Sequence, residues 1–161
     1  MYLVGLGQDS HRLEKSQKKD NPLFLGGLSF TCGLTAIANS DGDVILHAIC
    51  NAISTALGGT SFSQIADPLC QQGITDSKEY LAKFVTMMQQ KSYQVKNLSI
   101  SVEALQPKLE KYSQHLKNSL AKLLQVSPEQ VGLAFTTGEG LTACGQGEGI
   151  SCTAIVLLQH L

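Results

Sequence analysis

Segments with strand character alternate with segments of helical period along this chain, and this alternation restricts the fold more than any other feature. Short apolar or alternating runs indicate strands, whereas apolar residues at three- and four-residue spacing indicate helices. Strands are predicted over 2–7, 22–30 (kinked at Gly26-Gly27), 98–105, 131–137 and 150–158. Helices are predicted from a cap at Ser40 or Asp41 to about 57, over 77–90, and from Pro107 to about 125, with loops over 14–21 and 60–75.

This order of elements predicts the α+β class, with a mixed sheet of four to five strands and helices packed on one face. At 161 residues the chain is large enough to bury a core as one domain, 1–161. No repeat or linker composition divides it.

Charge and cysteine content narrow the range of functions. Lys and Arg number 12 against 13 Asp and Glu, and Arg12 is the only arginine. We therefore expect neither a nucleic-acid partner nor a membrane partner. The five cysteines are scattered and form no C-x-x-C pair, which favours reduced thiols and a cytoplasmic protein. The first residues have no signal-peptide pattern, and no apolar run is long enough to span a membrane.

Three potential metal ligands occur in two segments. Asp9 and His11 follow the first apolar run, and His47 lies near the start of the predicted helix after Ser40-Asp41-Gly42-Asp43. Two imidazoles and one carboxylate suit Zn²⁺ and leave a fourth position open for a substrate oxygen. Asp43, four residues before His47, could orient its imidazole. Alternatively, Asp41 and Asp43 simply complement the helix N-terminus.

A glycine-rich stretch over 135–149 is the second candidate site. Its glycines and threonines could turn backbone N–H groups and hydroxyls onto phosphate oxygens. Glu139 is a hard oxygen ligand of the kind that Mg²⁺ shares with substrate phosphates. The alternative is a plain hairpin loop, which is also rich in glycine.

Taken together, these segments resemble the 2-C-methyl-D-erythritol 2,4-cyclodiphosphate synthase family. The resemblance rests on the early Asp-x-His, SDGDVILHA, the Pro107-Lys108 pair, TTGEGL and GQGEGI, in that order from about Gly5 to Leu158. It implies a homotrimer with active sites at subunit junctions. It also implies Zn²⁺, or another divalent transition metal, on Asp9, His11 and His47, and Mg²⁺ or Mn²⁺ on Glu139.

The implied reaction is an intramolecular phosphoryl transfer by a phosphorus–oxygen lyase of isoprenoid precursor biosynthesis. The 2-phosphate of 4-diphosphocytidyl-2-C-methyl-D-erythritol 2-phosphate attacks the diphosphate, and CMP is released. Asn39 and Thr137 are the implied catalytic residues. The implied substrate-binding residues are Asp9, His11, Asn39, Ser40, Asp67, Ala104, Leu105, Gln106, Pro107, Lys108, Thr136, Thr137 and Glu139, those from Ala104 to Lys108 forming the cytidine pocket of a neighbouring subunit.

Three positions depart from the family pattern. Asn39 replaces a histidine, Gly58 to Ser61 replace a stretch that includes an Asp, and Gln146 replaces an Arg. In the family that Arg points toward the trimer axis, where it can bind an isoprenoid diphosphate. Two other functions stay open: a zinc-dependent hydrolase, and a catalytically weakened member that binds cytidine nucleotides.

Overall fold

A five-stranded sheet forms the frame of the molecule, in a computed structural model that describes residues 1–16 and 21–161. The strands are β1 (Tyr2–Lys15), β4 (Leu34–Ile37), β5 (Tyr93–Glu103), β6 (Val131–Thr136) and β7 (Gly149–His160), and the two short strands β2 (Leu23–Leu25) and β3 (Leu28–Phe30) form a separate hairpin. The sheet order is β4-β1-β7-β5-β6, and only β5 and β6 pair in parallel among these neighbours. The predicted α+β class and mixed sheet are therefore confirmed.

Helices cover one face of this sheet. They are α1 (Val44–Ala56), α2 (Ser63–Gln71), α3 (Ser77–Gln90) and α4 (Ser113–Leu124), with short 3₁₀ helices at Glu110–Tyr112, Pro128–Gln130 and Gly138–Gly140. Alternate β7 residues facing the helices, from Cys152 to Leu158, are fully buried. α1 is buried along almost its whole length between the sheet and α3. Within the described residues, no helix is long and apolar enough to cross a membrane.

The opposite face of the sheet is exposed and partly apolar. Tyr2, Val4 and Leu6 on β1 are 58%, 67% and 58% exposed, and Ile155, which pairs with Leu6, is 47% exposed. Further along β1 the same face becomes polar, with Gln8, Ser10 and Arg12. The sheet thus presents an apolar patch and a polar end to its surroundings.

Three predicted strands differ clearly from the observed ones in extent. The strand predicted over 98–105 is β5, which begins earlier, at Tyr93, and ends at Glu103. The first strand was predicted to end at Gly7, but β1 continues to Lys15 because β7 and then β4 supply hydrogen-bonding partners for its polar half. Asp9 and His11 therefore lie within a strand rather than after it. The single strand predicted over 22–30 is a hairpin, because Gly26 and Gly27 both adopt positive φ, 61° and 79°, and reverse the chain.

The prediction of a loop over 60–75 was wrong, because this segment forms the helix α2. That helix includes Pro68 and has no capping side chain at its N-terminus. The strand β4 was not predicted. The helix predicted from Pro107 begins only at Ser113, after the 3₁₀ turn.

The predicted helix over 77–90 matches α3, and the final strand matches β7 with small extensions. Of the loop predicted over 14–21, residues 14 and 15 belong to β1, and 17–20 lie outside the described residues.

Candidate metal centre and adjoining pockets

Two glycines of β1 let α1 pack directly on the strand backbone. A Cβ atom at Gly5 would lie 1.9 Å from the carbonyl oxygen of Ala52, and one at Gly7 would lie 2.0 Å from that of Ala48. Any side chain at either position would therefore push the helix away. Because His47 precedes Ala48, this close approach carries its imidazole to the β1 side chains on the same face.

The three predicted metal ligands meet at this contact. Asp9 Oδ2 lies 3.0 Å from His11 Nε2 and 2.9 Å from His47 Nδ1, and the two imidazole nitrogens are 3.1 Å apart. Donor atoms around a tetrahedral Zn²⁺ at 2.0–2.1 Å are separated by about 3.3 Å. The donor set of two nitrogens and one carboxylate oxygen, at nearly this spacing, fits a divalent transition metal.

The electrostatics of Asp9 favour its ionised form. Burial alone would raise the pKa of Asp9, but hydrogen bonds and charge from His11 and His47 outweigh burial and hold that pKa well below its usual range. The side chains of Asp9 and His11 are 21% and 16% exposed, whereas that of His47 is 4% exposed. The cluster is thus anchored from the helix side and open on the other.

The second nitrogen of His47 is held by Ser77, to which the sequence analysis assigned no role in the site. Its Nε2 lies 2.7 Å from the hydroxyl of Ser77, which in turn donates to the carboxylate of Asp41. The ring of Phe62 stacks on the His47 imidazole at a centroid distance of 4.7 Å. Together these contacts fix both the plane and the rotation of the ring.

The predicted orienting role of Asp43 was wrong. Its carboxylate accepts hydrogen bonds from the backbone N–H groups of Gly26, Gly27 and Leu46 at 2.7–3.0 Å. Asp43 is therefore the N-cap of α1 and fastens the β2–β3 hairpin to that helix. The alternative interpretation of Asp43, as a residue that complements the helix N-terminus, is the correct one.

A pocket of about 390 Å³ opens beside the three ligands. It is lined by Asn39, Ser40 and Asp67, which were predicted to contact substrate, as well as by Phe62, Cys70 and Tyr80, which were not. Ser40 Oγ lies 3.4 Å from His47 Nε2, and the thiol of Cys70 donates to the carbonyl of Asn39 at 3.2 Å. The residues of α2 supply one wall, so the segment mistaken for a loop is part of the site.

A second pocket, of about 210 Å³, contains most of the predicted cytidine-binding residues. Its lining includes Ala104, Pro107, Lys108, Thr136 and Thr137. Two predicted residues are absent from that lining. Leu105 is 40% exposed and packs against Gly147, and Gln106 lines a neighbouring cavity of about 710 Å³.

Within one chain the two pockets are separated by packed core. Asp9 pairs with Cys152, Cys152 with Val102, and Val102 with Phe135, so these residues form one row across four strands. Asp9 borders the first pocket and Phe135 the second. Three strand spacings amount to about 14 Å. Cys152 and Val102, which lie between them, are 0% and 1% exposed, so no open channel joins the two pockets along this row of residues.

The glycine-rich segment folds as a tight loop after β6. Glu139 lies in it with φ 54° and is exposed, and within the described residues it is not part of the Asp9–His11–His47 cluster. Thr136 Oγ1 accepts from the N–H of Gly138 at 2.9 Å. The side-chain amide of Gln146 donates to the carbonyl of Gly140 at 3.0 Å, so Gln146 braces the loop from within.

Comparison with known proteins shows which family the chain is related to. The family model described as the YgbB family matches residues 2–159. The chain belongs to the YgbB family. A Chlamydia muridarum 2-C-methyl-D-erythritol 2,4-cyclodiphosphate synthase is 38% identical over 161 residues, covering 99% of this chain and 89% of the relative. The family resemblance drawn from the sequence is thus confirmed.

Solved YgbB-like structures share the whole fold. A 2C-methyl-D-erythritol-2,4-cyclodiphosphate synthase aligns with a TM-score of 0.85 at 31% identity, covering 97% of this chain and 99% of that one. A second solved form of such a synthase, described as bound to CDP, aligns with a TM-score of 0.85 at 30% identity, with the same coverage. The Plasmodium falciparum IspF–CDP complex aligns with a TM-score of 0.84 at 25% identity, covering 98% of this chain and 95% of that one.

Proposed function

We propose that this YgbB-family chain is a metal-dependent cyclase. It would convert 4-diphosphocytidyl-2-C-methyl-D-erythritol 2-phosphate to 2-C-methyl-D-erythritol 2,4-cyclodiphosphate and CMP in the cytoplasm, with residues 1–161 acting as one synthase domain. The observation that carries the proposal is the convergence of Asp9, His11 and His47 at about 3 Å beside an open pocket. The CDP named in two of the similar solved structures supports a cytidine-linked substrate.

The reaction brings two anionic groups together. An oxygen of the 2-phosphate forms a bond to the diphosphate phosphorus that is attached to the methylerythritol, and the bond from that phosphorus to the bridging oxygen breaks, with the electron pair and the oxygen leaving on CMP. Zn²⁺ on the cluster and Mg²⁺ or Mn²⁺ at Glu139 would neutralise the phosphate charges that build up in this step. The chain's part is to hold the folded substrate so that the attack is intramolecular.

Five of the predicted substrate contacts have a defined task in this proposal. Asn39 and Ser40 line the pocket next to the metal ligands and can hydrogen-bond the reacting phosphate. Thr137, assigned a catalytic role by the family resemblance, lines the second pocket with Thr136 and Lys108, where hydroxyls and an ammonium would bind phosphate and orient the leaving CMP. Asn39 supplies no positive charge, so we expect a modest turnover number.

We further propose a homotrimer in which the second pocket of one subunit completes the metal site of the next. The buried row between the two pockets within a chain supports this, because a single substrate has no direct path between them. The exposed apolar patch of Tyr2, Val4, Leu6 and Ile155 also supports association through the open sheet face.

Complementation tests the shared site. His47→Ala removes a metal ligand and Lys108→Ala removes a phosphate contact of the second pocket. If the pockets of different subunits combine, dissociating and reassembling the two inactive proteins together should restore part of the activity. A monomeric mass in sedimentation, or mixed proteins that stay inactive, would exclude the shared site.

The cyclase itself is tested by incubating the protein with the cytidine diphosphate substrate, Zn²⁺ and Mg²⁺ and recording ³¹P spectra. Equal amounts of CMP and a cyclic diphosphate are expected. Linear hydrolysis products would instead favour a zinc hydrolase. Binding of CDP without turnover would instead indicate a catalytically weakened family member that binds cytidine nucleotides. This is the second candidate function, because Asn39 and Gly58–Ser61 differ from the family pattern.

A further inference from the structure

His47 faces the other candidate ligands through one ring nitrogen and the protein interior through the other. Nδ1 lies 2.9 Å from Asp9 Oδ2 and 3.1 Å from His11 Nε2, whereas Nε2 lies 2.7 Å from the hydroxyl oxygen of Ser77. Ser77 is the first residue of α3 and is fully buried. A metal at this centre must therefore take Nδ1, and Ser77 is the partner left for Nε2.

The direction of the hydrogen bonds follows from the chemistry of the groups. A carboxylate only accepts hydrogen bonds, and a serine hydroxyl has a single proton to donate. The contact between Ser77 Oγ and Asp41 Oδ1 therefore uses the Ser77 proton. The hydroxyl oxygen can then only accept from His47, so Nε2 must carry the imidazole proton. A neutral imidazole protonated on Nε2 presents its Nδ1 lone pair, so a metal bound there would replace the hydrogen bond between Nδ1 and Asp9.

Asp41 is itself held in place by the backbone. Its Oδ2 accepts from the N–H of Ser77 at 2.9 Å, and its Oδ1 accepts from the N–H of Asp43 at 3.1 Å. The N–H of Asp41 donates to the carbonyl of Thr75 at 2.9 Å, which ties the turn before α1 to the start of α3. The carboxylate is thus fixed between two segments and cannot swing away from Ser77.

We propose that Ser77 and Asp41 are positioning residues that set the tautomer and rotation of His47 for metal binding. Histidines that bind metals nearly always donate their other ring N–H to a fixed acceptor, and losing that acceptor typically weakens metal affinity about 10- to 100-fold. Here the acceptor is a buried serine hydroxyl polarised by a carboxylate. The neighbouring hydroxyl of Ser40, 3.4 Å from Nε2, is too distant to replace it fully.

This inference rests on the metal centre of the proposed function but not on the reaction, so it is tested without substrate. The variants are Ser77→Ala, Asp41→Asn and, as matched control, Asp76→Asn. Asp76 caps the same helix through the N–H of Lys78 at 2.9 Å, and asparagine caps equally well. The control therefore alters the start of α3 without altering the partner of His47.

Zinc affinity is measured by competition with a chromophoric chelator, alongside the thermal midpoint of each metal-free protein. We expect at least a tenfold loss for Ser77→Ala and Asp41→Asn and no more than a twofold change for Asp76→Asn. In ¹⁵N spectra of the zinc-loaded unsubstituted protein, the His47 Nε2–H should give a resolved signal protected from exchange. That signal should broaden or disappear in Ser77→Ala.

The outcomes separate this inference from the proposed function. If the unsubstituted protein binds no zinc, the metal centre itself fails. If it binds zinc and Ser77→Ala binds equally tightly, or if the proton of His47 is found on Nδ1, only the positioning role of Ser77 fails. The tautomer measurement needs no variant, so it decides the question even if Ser77→Ala does not fold.

Discussion

Replacing Gly7 by alanine tests whether the close approach of α1 to β1 builds the metal centre. The new Cβ would lie 2.0 Å from Ala48 O and 2.4 Å from Ala52 N, both backbone atoms of α1. Restoring an ordinary contact of 3.4 Å requires the helix to retreat by about 1.4 Å. The 2.9 Å separation of His47 Nδ1 from Asp9 Oδ2 would then grow to about 4 Å, beyond the roughly 0.2 Å tolerance of metal–ligand distances.

We expect Gly7→Ala to lose about 1–3 kcal/mol of unfolding free energy through overpacking, which lowers the thermal midpoint by about 2–12 °C in a chain of this size. Zinc affinity should fall at least tenfold. Gly132→Ala on β6 is the matched control, because its Cβ would meet nothing closer than Leu98 O at 3.7 Å. Calorimetry and a chelator titration would measure both effects. A Gly7→Ala protein that melts and binds zinc as the unsubstituted protein does would refute this account of the site.

Four further substitutions test the proposed function. His11→Ala and His47→Ala should each lower bound zinc and turnover together, and full zinc in elemental analysis of either variant would show that the cluster is misassigned. Asn39→His should raise the turnover number several-fold by supplying a positive charge to the pocket, and steady-state kinetics showing no gain would remove Asn39 from the catalytic assignment. Gln146→Arg should strengthen binding of an isoprenoid diphosphate in calorimetry while cyclisation changes little, since a guanidinium fork binds phosphate better than an amide. Tight binding by the Gln146 form would contradict this.

The parts of the fold that follow from local periodicity could be predicted from the sequence. The helix α3 shows its buried side through Tyr80, Leu81 and Phe84, and its observed bounds match the prediction. The extent of β1 could not be predicted, because its polar half is stabilised by partners distant in sequence. The same is true of α2, whose sequence contains Pro68 and offers no capping signal.

The candidate metal cluster could be predicted because its chemistry is visible in residue types. Asp9, His11 and His47 are the two-nitrogen, one-oxygen set that zinc prefers, and no geometry is needed to suspect them. Ser77 gave no comparable signal, because a serine after Asp76 at the start of a helical pattern is the ordinary signature of a helix N-terminus. Only the fold shows that its hydroxyl reaches a histidine thirty residues earlier in the chain.

The two carboxylates of the Ser40-Asp41-Gly42-Asp43 turn show why the orienting group could not be assigned from spacing. Gly42 has φ 72°, and a Cβ there would lie 2.6 Å from the Cβ of Ala36, so the chain reverses sharply between the two aspartates. Asp43 is thereby directed to the hairpin N–H groups, whereas Asp41 is directed to Ser77 at the start of α3. Helical spacing had placed Asp43 and His47 on one face, but Asp43 is the N-cap and precedes the helical backbone. The two aspartates of the turn therefore have different roles. Asp43 caps α1, whereas Asp41, through Ser77, orients the imidazole of His47 on α1.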